Sequence, residues 1–196
     1  MANTDPSLFY PEYFNYSRVS PIGYLAGDQR HRLRAWAGYK LPVGTGSLEA
    51  TLLQSYDSGL PYSMAGPINL TRYAGAPANP GYNSIPNGLY YFSGRGALRT
   101  DNMFSTDVAL RTTFGRFFAQ ADILNIFNND ALFDPQRIGT TVSTAATSTT
   151  LQPFDPRTQT PVAGVHYQLA SNFGQALNNL AYQTPRTFRV SIGARF

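Results

Sequence analysis

The chain ends in RTFRVSIGARF (residues 186–196), a stretch in which every second residue from Phe188 onward is apolar. The residues between them are polar or very small: Arg189, Ser191, Gly193 and Arg195. Alternation with a period of two residues is typical of a β-strand whose two faces meet different surroundings. Because the alternation runs to the last residue, we predict that the chain ends inside a sheet and not in a polar tail.

Four other stretches alternate in the same way, and each is close to the ~9–11 residues with which a tilted β-strand crosses a bilayer. They are 31–41, 47–57, 103–114 and 117–127. The first has one apolar face, and its other face carries three cations and a tryptophan: Arg32, Arg34, Lys40 and Trp36. Such a face suits a water-filled lumen. We therefore predict an all-β chain with about five long strands.

The connections between these strands alternate between short and long. Residues 42–46 join the first two strands, and Gly115 and Arg116 alone join the third and fourth. The other two connections, 58–102 and 128–185, are long and polar. Outer-membrane barrels combine short periplasmic turns with long outer loops, whereas soluble domains rarely contain loops beyond ~12–15 residues. The pattern predicts antiparallel up-and-down strands that form the last part of a transmembrane β-barrel, with the C-terminus on the periplasmic side.

The composition favours a membrane barrel over a soluble domain. Charged residues are 13% of the chain, against roughly 25% in soluble domains, and aromatic residues are 14%. The net charge of +4 comes mainly from arginines spread singly along the chain, with one denser run at 30–34. We expect these arginines to line a lumen or an interface and expect no nucleic-acid partner. Cysteine is absent, which excludes a disulfide framework and thiolate metal sites.

The N-terminal stretch MANTDPSLFYPEYF (1–14) has no basic head, apolar run or cleavage site of a signal peptide. No stretch of the chain approaches the ~18 apolar residues of a membrane-spanning helix. Since a protein of the outer membrane needs a signal peptide, we expect Met1 to be an internal position of a longer receptor or the start of a truncated gene.

Five segments together carry a resemblance to a known family. They are DQRHRLRAWAGYKLPVG (28–44), QSYDSGLPYS (54–63), RTDNMFSTDVALRTTFG (99–115), QADILNIFNN (120–129) and SNFGQALNNLAYQTPRTFRVSIGARF (171–196). In this order and spacing the chain resembles the C-terminal end of a TonB-dependent outer-membrane receptor. It is most similar to the Oar-like subgroup, which has a carboxypeptidase-regulatory-like N-terminal domain. The fourth segment is the most distinctive of the five.

The resemblance implies a division of the chain and a set of partners. Residues 31–196 would supply the C-terminal barrel strands, and residues 1–30 an outer loop or truncated N-terminal segment. The intact receptor would have a 22-stranded barrel, a plug and a TonB box, and would take up a scarce solute across the outer membrane of a Gram-negative cell. TonB would act only through the missing N-terminal part. The ligand stays open among siderophore, glycan, cobalamin and peptide.

The resemblance also implies that the last strand is read by the barrel-assembly machinery. The residues of this assembly signal would be Phe188, Val190, Ile192 and Phe196, which would then face outer-membrane lipid. The usual signal has a glycine and a second aromatic residue where this chain has Ser191 and Ala194. As an unpaired edge, such a strand can add to another sheet by strand addition.

Polar residues recur in the fourth strand and its continuation. We predict that Asp122, Asn125 and Asn128, together with Phe127, form a structural motif that hydrogen-bonds neighbouring strands or a plug, since buried polar groups need partners. Asp122 and Arg111 fall on the same, non-lipid face of the two strands that the Gly115–Arg116 turn connects. We therefore also predict an ion pair between Asp122 and Arg111.

Exposed aromatic residues in the long loops are the candidates for ligand contact. Tyrosine offers a large rigid surface with a polar tip, so we predict an outer ligand-binding surface formed by Tyr62, Tyr73, Tyr82, Tyr90, Tyr91 and Phe92. Packing of these rings onto the barrel rim is the alternative. The sequence has no motif for a nucleophile, a phosphate loop or a metal site. We therefore expect no catalytic residues, no metal, no cofactor and no enzymatic activity.

A different class of protein is also compatible with the alternation. A soluble or secreted β-sandwich with long aromatic binding loops would bury the apolar faces between two sheets. A small complete barrel is a further alternative, but it needs at least ~8 strands. The accessibility of the apolar face distinguishes the sandwich from the barrel.

Overall fold

The computed structural model describes Arg18 and residues 21–69, 88–156 and 158–195. These residues form two compact units. The sheet unit comprises residues 27–60, 99–137 and 178–195, and the loop unit comprises the described residues within 1–26, 61–98 and 138–177. Tyr73, Tyr82 and Phe196 lie outside the described residues.

The described chain is all-β, with antiparallel sheets, as predicted. In chain order the strands are β1 (Arg32–Val43), β2 (Gly46–Asp57), β3 (Pro61–Tyr62), β4 (Ala65–Ile68), β5 (Gly88–Tyr91), β6 (Leu98–Arg99), β7 (Met103–Phe114), β8 (Phe117–Leu124), β9 (Val142–Thr144), β10 (Tyr167–Leu169) and β11 (Thr187–Ala194). Two single-turn 3₁₀ helices are Pro135–Arg137 and Asn179–Ala181. No helix among the described residues is long and apolar enough to span a membrane.

The sheet unit is built on one five-stranded antiparallel meander in the order β1-β2-β7-β8-β11. These are the five strands that the alternation predicts, but two boundaries differ. The first connection is a turn of only Gly44 and Thr45, since β1 and β2 pair as far as Val43 and Gly46. The fourth strand ends at Leu124 and not at residue 127, because Asn125 adopts a left-handed backbone conformation with φ 50° that a strand cannot continue through.

The strand register divides the sheet into two chemically different faces. The apolar face is built from the cross-strand rows that include Ala37-Leu52-Val108-Ile123-Phe188, Tyr39-Ala50-Leu110-Ala121-Val190 and Leu41-Leu48-Thr112-Ala119-Ile192. The polar face holds the alternate rows, including Lys40-Glu49-Arg111-Gln120-Ser191 and Gly38-Thr51-Ala109-Asp122-Arg189. Leu53, which departs from the alternation, pairs with Trp36 and Asp107 on the polar face.

The loop unit has a small core of its own, which the sequence did not reveal. Its strands β4 and β5 pair with each other, as do β9 and β10. Its buried hydrophobic side chains are Ile68, Tyr90, Ile138, Val142, Leu151 and Phe154. The stretch STAATSTT (143–150), which its low-complexity composition predicts to be a mobile loop tip, begins in β9 with Thr144 buried. Strands of three or four residues are too short for period-two alternation to reveal them.

Candidate functional site

The apolar face of the sheet exposes large hydrophobic side chains from all five strands. Thirteen of its large hydrophobic side chains are exposed: Leu33, Tyr39, Leu41, Val43, Leu48, Leu52, Phe104, Leu110, Phe114, Phe117, Phe188, Val190 and Ile192. The residues predicted as the assembly signal are among the most open, with Phe188 66%, Val190 78% and Ile192 82% exposed. They lie on β11, which is an edge strand of the five-stranded sheet.

One polar pair interrupts the apolar face, and its members satisfy each other. The Thr106 hydroxyl donates to Gln54 Oε1 at 2.6 Å, and Gln54 Nε2 donates to the Ser105 carbonyl at 3.1 Å. These two residues are neighbours in the β2–β7 register. The face therefore presents little unpaired hydrogen-bonding capacity at this point, which is what an apolar surrounding requires.

The predicted structural motif forms a turn that ties the end of β8 to the segment entering β11. Asn125 is buried, and its Nδ2 donates to the carbonyls of Asn129 at 2.8 Å and Thr184 at 2.9 Å, while its Oδ1 accepts from the Asn129 N–H. Its own N–H donates to Asp107 Oδ1 at 2.8 Å. Asn128, also left-handed with φ 53°, accepts the Arg186 N–H at 2.9 Å. Both asparagines therefore make these contacts in the turn that follows β8 and not within the strand.

The other two motif residues make different contacts. Phe127 is 72% exposed and points away from any core. Asp122 accepts from Gln120 Nε2 at 2.8 Å on the polar face. The predicted Asp122–Arg111 ion pair is not formed, although Asp122 is a diagonal neighbour of Arg111 in the register. The Arg111 guanidinium instead stacks on the Phe118 ring, 4.6 Å from its centroid.

An ion-pair cleft lies where β1 begins and β2 ends, and the sequence interpretation missed it. Asp57 is buried, and its two carboxylate oxygens accept from Arg32 Nε at 2.9 Å and Arg34 Nη2 at 2.6 Å. A second pair joins Arg99 to Asp28 at 2.6 Å. The cleft encloses about 320 Å³. Period-two alternation places Arg32, Arg34 and Asp57 on the same face of the sheet, so the cluster could have been predicted from the sequence by this alternation.

Most ionised side chains of the cleft are engaged with one another. Each of the two ion-paired carboxylates is held by guanidinium groups, and the Ser58 hydroxyl accepts the His31 N–H at 3.0 Å. No cluster of three or more metal-ligating side chains occurs in the described part of the chain. The arrangement can bind a polar group by hydrogen bonding.

The loop unit holds the four described aromatic residues predicted to contact a ligand, and three of these four, Tyr62, Tyr90 and Phe92, lie against other rings. Tyr90 is buried, with its ring 5.1 Å from Phe154 and 4.9 Å from Phe92. Phe92 stacks 4.3 Å from Tyr167. Burial raises the pKa of the Tyr90 hydroxyl, against an opposing effect of the Arg18 charge.

Tyr62 and Tyr91 keep part of their surface open. Tyr62 is half-buried, with its ring 6.4 Å from Phe173, and Tyr91 is half-buried at the end of β5. Of the described candidates, these two and the half-buried Phe92 retain accessible surface, whereas Tyr90 does not. Ligand contact by these residues stays a prediction.

The chain matches no protein-family model, no curated protein and no solved structure. What the described surfaces can do chemically follows from their own geometry.

Proposed function

We propose that the five-stranded sheet is a segment of the wall of a transmembrane β-barrel in the outer membrane, with its apolar face in lipid and its polar face toward a wet lumen. The observation that carries the proposal is the register: it gathers the apolar residues of all five strands onto one face, where thirteen large side chains are exposed. A bilayer is the surrounding in which such a face is stable.

The size of the exposed apolar face argues against water as its natural surrounding. Fully burying one large aliphatic or aromatic side chain is worth about 1.5–3 kcal/mol relative to leaving it in water. Thirteen such side chains are exposed over 41–82% of their surface, while the net stability of a whole domain is only about 5–15 kcal/mol. A β-sandwich would cover this face with a second sheet, and the described residues contain no second sheet of more than two strands.

The height of the apolar face agrees with a bilayer. On β1 the face runs from Leu33 to Val43, which is ten residue steps. At roughly 3.4 Å per step and a tilt of about 40°, this corresponds to about 26 Å along the membrane normal, close to the ~25 Å apolar band of outer-membrane barrels.

Within this proposal, the chain serves as the C-terminal part of a TonB-dependent receptor that takes up a scarce solute. The chain contributes part of the barrel wall, the assembly signal and outer ligand-binding loops. The exposed edge strand β11, with Phe188, Val190 and Ile192, supports recognition by the barrel-assembly machinery through strand addition. The partly open rings of Tyr62, Tyr91 and Phe92 are the described candidates for solute contact.

The absence of cysteine permits a direct test of the orientation of the faces. The full chain is reconstituted into lipid vesicles with one cysteine at a time, Val190→Cys on the apolar face and its neighbour Ser191→Cys on the polar face, each labelled with an environment-sensitive fluorophore. We expect a blue-shifted emission at 190 that is quenched by spin-labelled lipid, and a water-like emission at 191. Equal emission and equal quenching at the two positions would overturn the proposal.

Cell fractionation tests the receptor part of the proposal separately. An antibody against residues 180–196 should detect a band several times larger than the 21.5 kDa chain in the outer-membrane fraction. A 21.5 kDa band confined to the soluble fraction would instead favour a soluble binding module.

A further inference from the structure

The ion-pair cleft has a rear wall that hydrogen bonds between separate segments hold in place. The Ser58 N–H donates to the His31 carbonyl at 2.9 Å. The Leu60 N–H donates to the Thr100 hydroxyl, and the Thr100 N–H donates back to the Leu60 carbonyl, both at 2.9 Å. A volume of about 320 Å³ places the cleft at the small end of the ~300–1,000 Å³ range of ligand pockets. The cleft therefore suits one small molecule in a wall that is already formed.

One side of the cleft carries an excess of positive charge. Arg32 and Arg34 line it and share the single carboxylate of Asp57, so two positive charges and one negative charge leave a net charge of +1. Arg32 uses only its Nε for this bond, and its side chain is 67% exposed. Its Nη1 and Nη2 make no hydrogen bond to another described residue. These two nitrogens can therefore bind a carboxylate from outside, and an arginine does so bidentately.

The other side of the cleft carries a negative charge. Asp101 lines the cleft and is exposed, and its Oδ2 accepts the Leu132 N–H at 3.0 Å. It joins none of the ion pairs among the described residues. Asp101 precedes Met103, the β7 partner of Asp57, so β2 lies between Asp101 and Arg32. Since neighbouring strands are ~4.8 Å apart, the backbones of β1 and β7 are roughly 10 Å apart, which keeps the opposite charges separate.

The third chemical feature of the cleft is apolar. Leu60, Met103 and Phe133 line it, and each is half-buried, so part of its surface is accessible. An aliphatic group that enters the cleft can be removed from water against these side chains. The cleft thus combines a guanidinium with free donors, a carboxylate outside any described ion pair and an apolar wall.

We propose that the ion-pair cleft binds a free α-amino acid with an aliphatic side chain. The carboxylate of the amino acid lies on the Nη groups of Arg32, its ammonium group on the carboxylate of Asp101, and its side chain against Met103 and Phe133. A simple anion would be repelled by Asp101 and a simple cation by Arg32, whereas a zwitterion complements both. The inference goes beyond the function proposed above, which places solute contact in the loop unit. It does not depend on the membrane orientation, because every residue of the site lies in the sheet unit.

The test measures the binding of L-leucine to the full chain in an uncharged detergent by isothermal titration calorimetry. N-acetyl-leucine lacks the ammonium group, and leucinamide lacks the carboxylate. We expect saturable binding of leucine, and binding at least about tenfold weaker for each derivative, since each loses hydrogen bonds between charged groups. Alanine should bind more weakly than leucine by about fourfold for each buried carbon that it lacks.

Two variants assign each charge of the ligand to its residue. R32Q should weaken leucine about tenfold and leave leucinamide unchanged, because leucinamide has no carboxylate to lose. D101N should weaken leucine by a similar factor and leave N-acetyl-leucine no weaker. Both variants should fold, since Arg34 still holds Asp57 in R32Q and an amide oxygen can still accept the Leu132 N–H in D101N. Their urea unfolding midpoints check this, and the ligand series on the unsubstituted chain tests the proposal without any variant.

Arg189 provides the matched control for charge. It lies on the polar face of β11, opposite Asp122 and outside the lining of the cleft, so R189Q should leave leucine binding unchanged. An equal loss in R189Q would overturn the proposal, as would the lack of saturable leucine binding. Binding of N-acetyl-leucine as tight as that of leucine would also overturn it, because the cleft would then recognise a carboxylate alone. The cysteine labels at 190 and 191 report the membrane orientation whatever the outcome with leucine, so the two proposals fail separately.

Discussion

The ring of Phe118 lies across Gly193, its partner in the β8–β11 register, and a β-carbon added at Gly193 would stand 2.6 Å from two of the ring carbons. The same ring carries the Arg111 guanidinium on its face. An arginine, an aromatic ring and a glycine from three adjacent strands thus form one stack on the polar face.

This stack predicts that one methyl group added at Gly193 lowers the stability of the protein. Gly193→Ala should push the Phe118 ring off the glycine and disturb the Arg111 contact, which lowers the free energy of unfolding by about 1–3 kcal/mol. Urea unfolding of the chain in detergent measures the change. Gly38→Ala is the matched control, because its added β-carbon would meet nothing closer than 3.8 Å and should cost little. Equal costs at the two glycines would contradict the stacking account.

The left-handed turn after β8 predicts an order of stability at Asn125. Asn125→Gly keeps the positive φ but loses three side-chain hydrogen bonds, at about 1 kcal/mol each. Asn125→Ala adds the strain of a left-handed alanine, about 1 kcal/mol more. We expect the midpoint of urea unfolding to fall from wild type to N125G to N125A. Asn128→Gly, which loses only the bond to Arg186, should lie close to wild type; a reversed order of N125G and N128G would disprove the role of Asn125.

The ion-pair cleft predicts unequal effects of its two arginines. Arg32 is 67% exposed in its side chain and Arg34 41%, and Arg34 makes the shorter bond to Asp57. Arg32→Gln should therefore cost less than about 1 kcal/mol, as exposed pairs do. Removing both arginines leaves a buried carboxylate without a partner, which costs about 3–5 kcal/mol.

A double-mutant cycle measured by urea unfolding checks this account of the cleft. The R32Q/R34Q double variant should lose more stability than the sum of the single variants, and Asp57→Asn should restore part of the loss in the double variant. Strict additivity with no rescue by D57N would show that the carboxylate does not depend on the arginines.

The burial of Tyr90 predicts that the loop unit loses stability at alkaline pH. Burial raises the pKa of its hydroxyl above the value of about 10 that it has in the unfolded chain. Between the unfolded and the folded pKa, the unfolded state releases the proton and the folded state keeps it, so stability falls as the pH rises. The difference in unfolding free energy between wild type and Tyr90→Phe should be constant below about pH 9 and shift in favour of Y90F above about pH 10. A difference that stays constant through pH 11 would refute the burial of this hydroxyl.

The local pattern of the sequence was enough to predict the five long strands, their antiparallel order and the division of their residues between two faces. Period-two alternation and short Gly-containing turns act within a single hairpin, so they are visible in the chain itself. The residues of the ion-pair cleft were within reach of the same parity argument.

Only the tertiary structure decided which residues meet across the strands and which loop residues are buried. The Arg111 guanidinium lies over Phe118 and not with Asp122, although both are its diagonal neighbours in the register, because parity determines the face of a residue but not which neighbour its side chain contacts. The left-handed Asn125, at which β8 ends, donates a hydrogen bond to the carbonyl of Thr184, which is 59 residues away in the chain. Tyr90 became part of a core through Phe154, a contact between distant segments that no local pattern encodes. The physical reason is the same in each case. Whether a residue lies in a strand, and on which face of it, depends on its neighbours in the chain. Its cross-strand row, its partner in a turn and its core contacts depend on segments that only folding brings together.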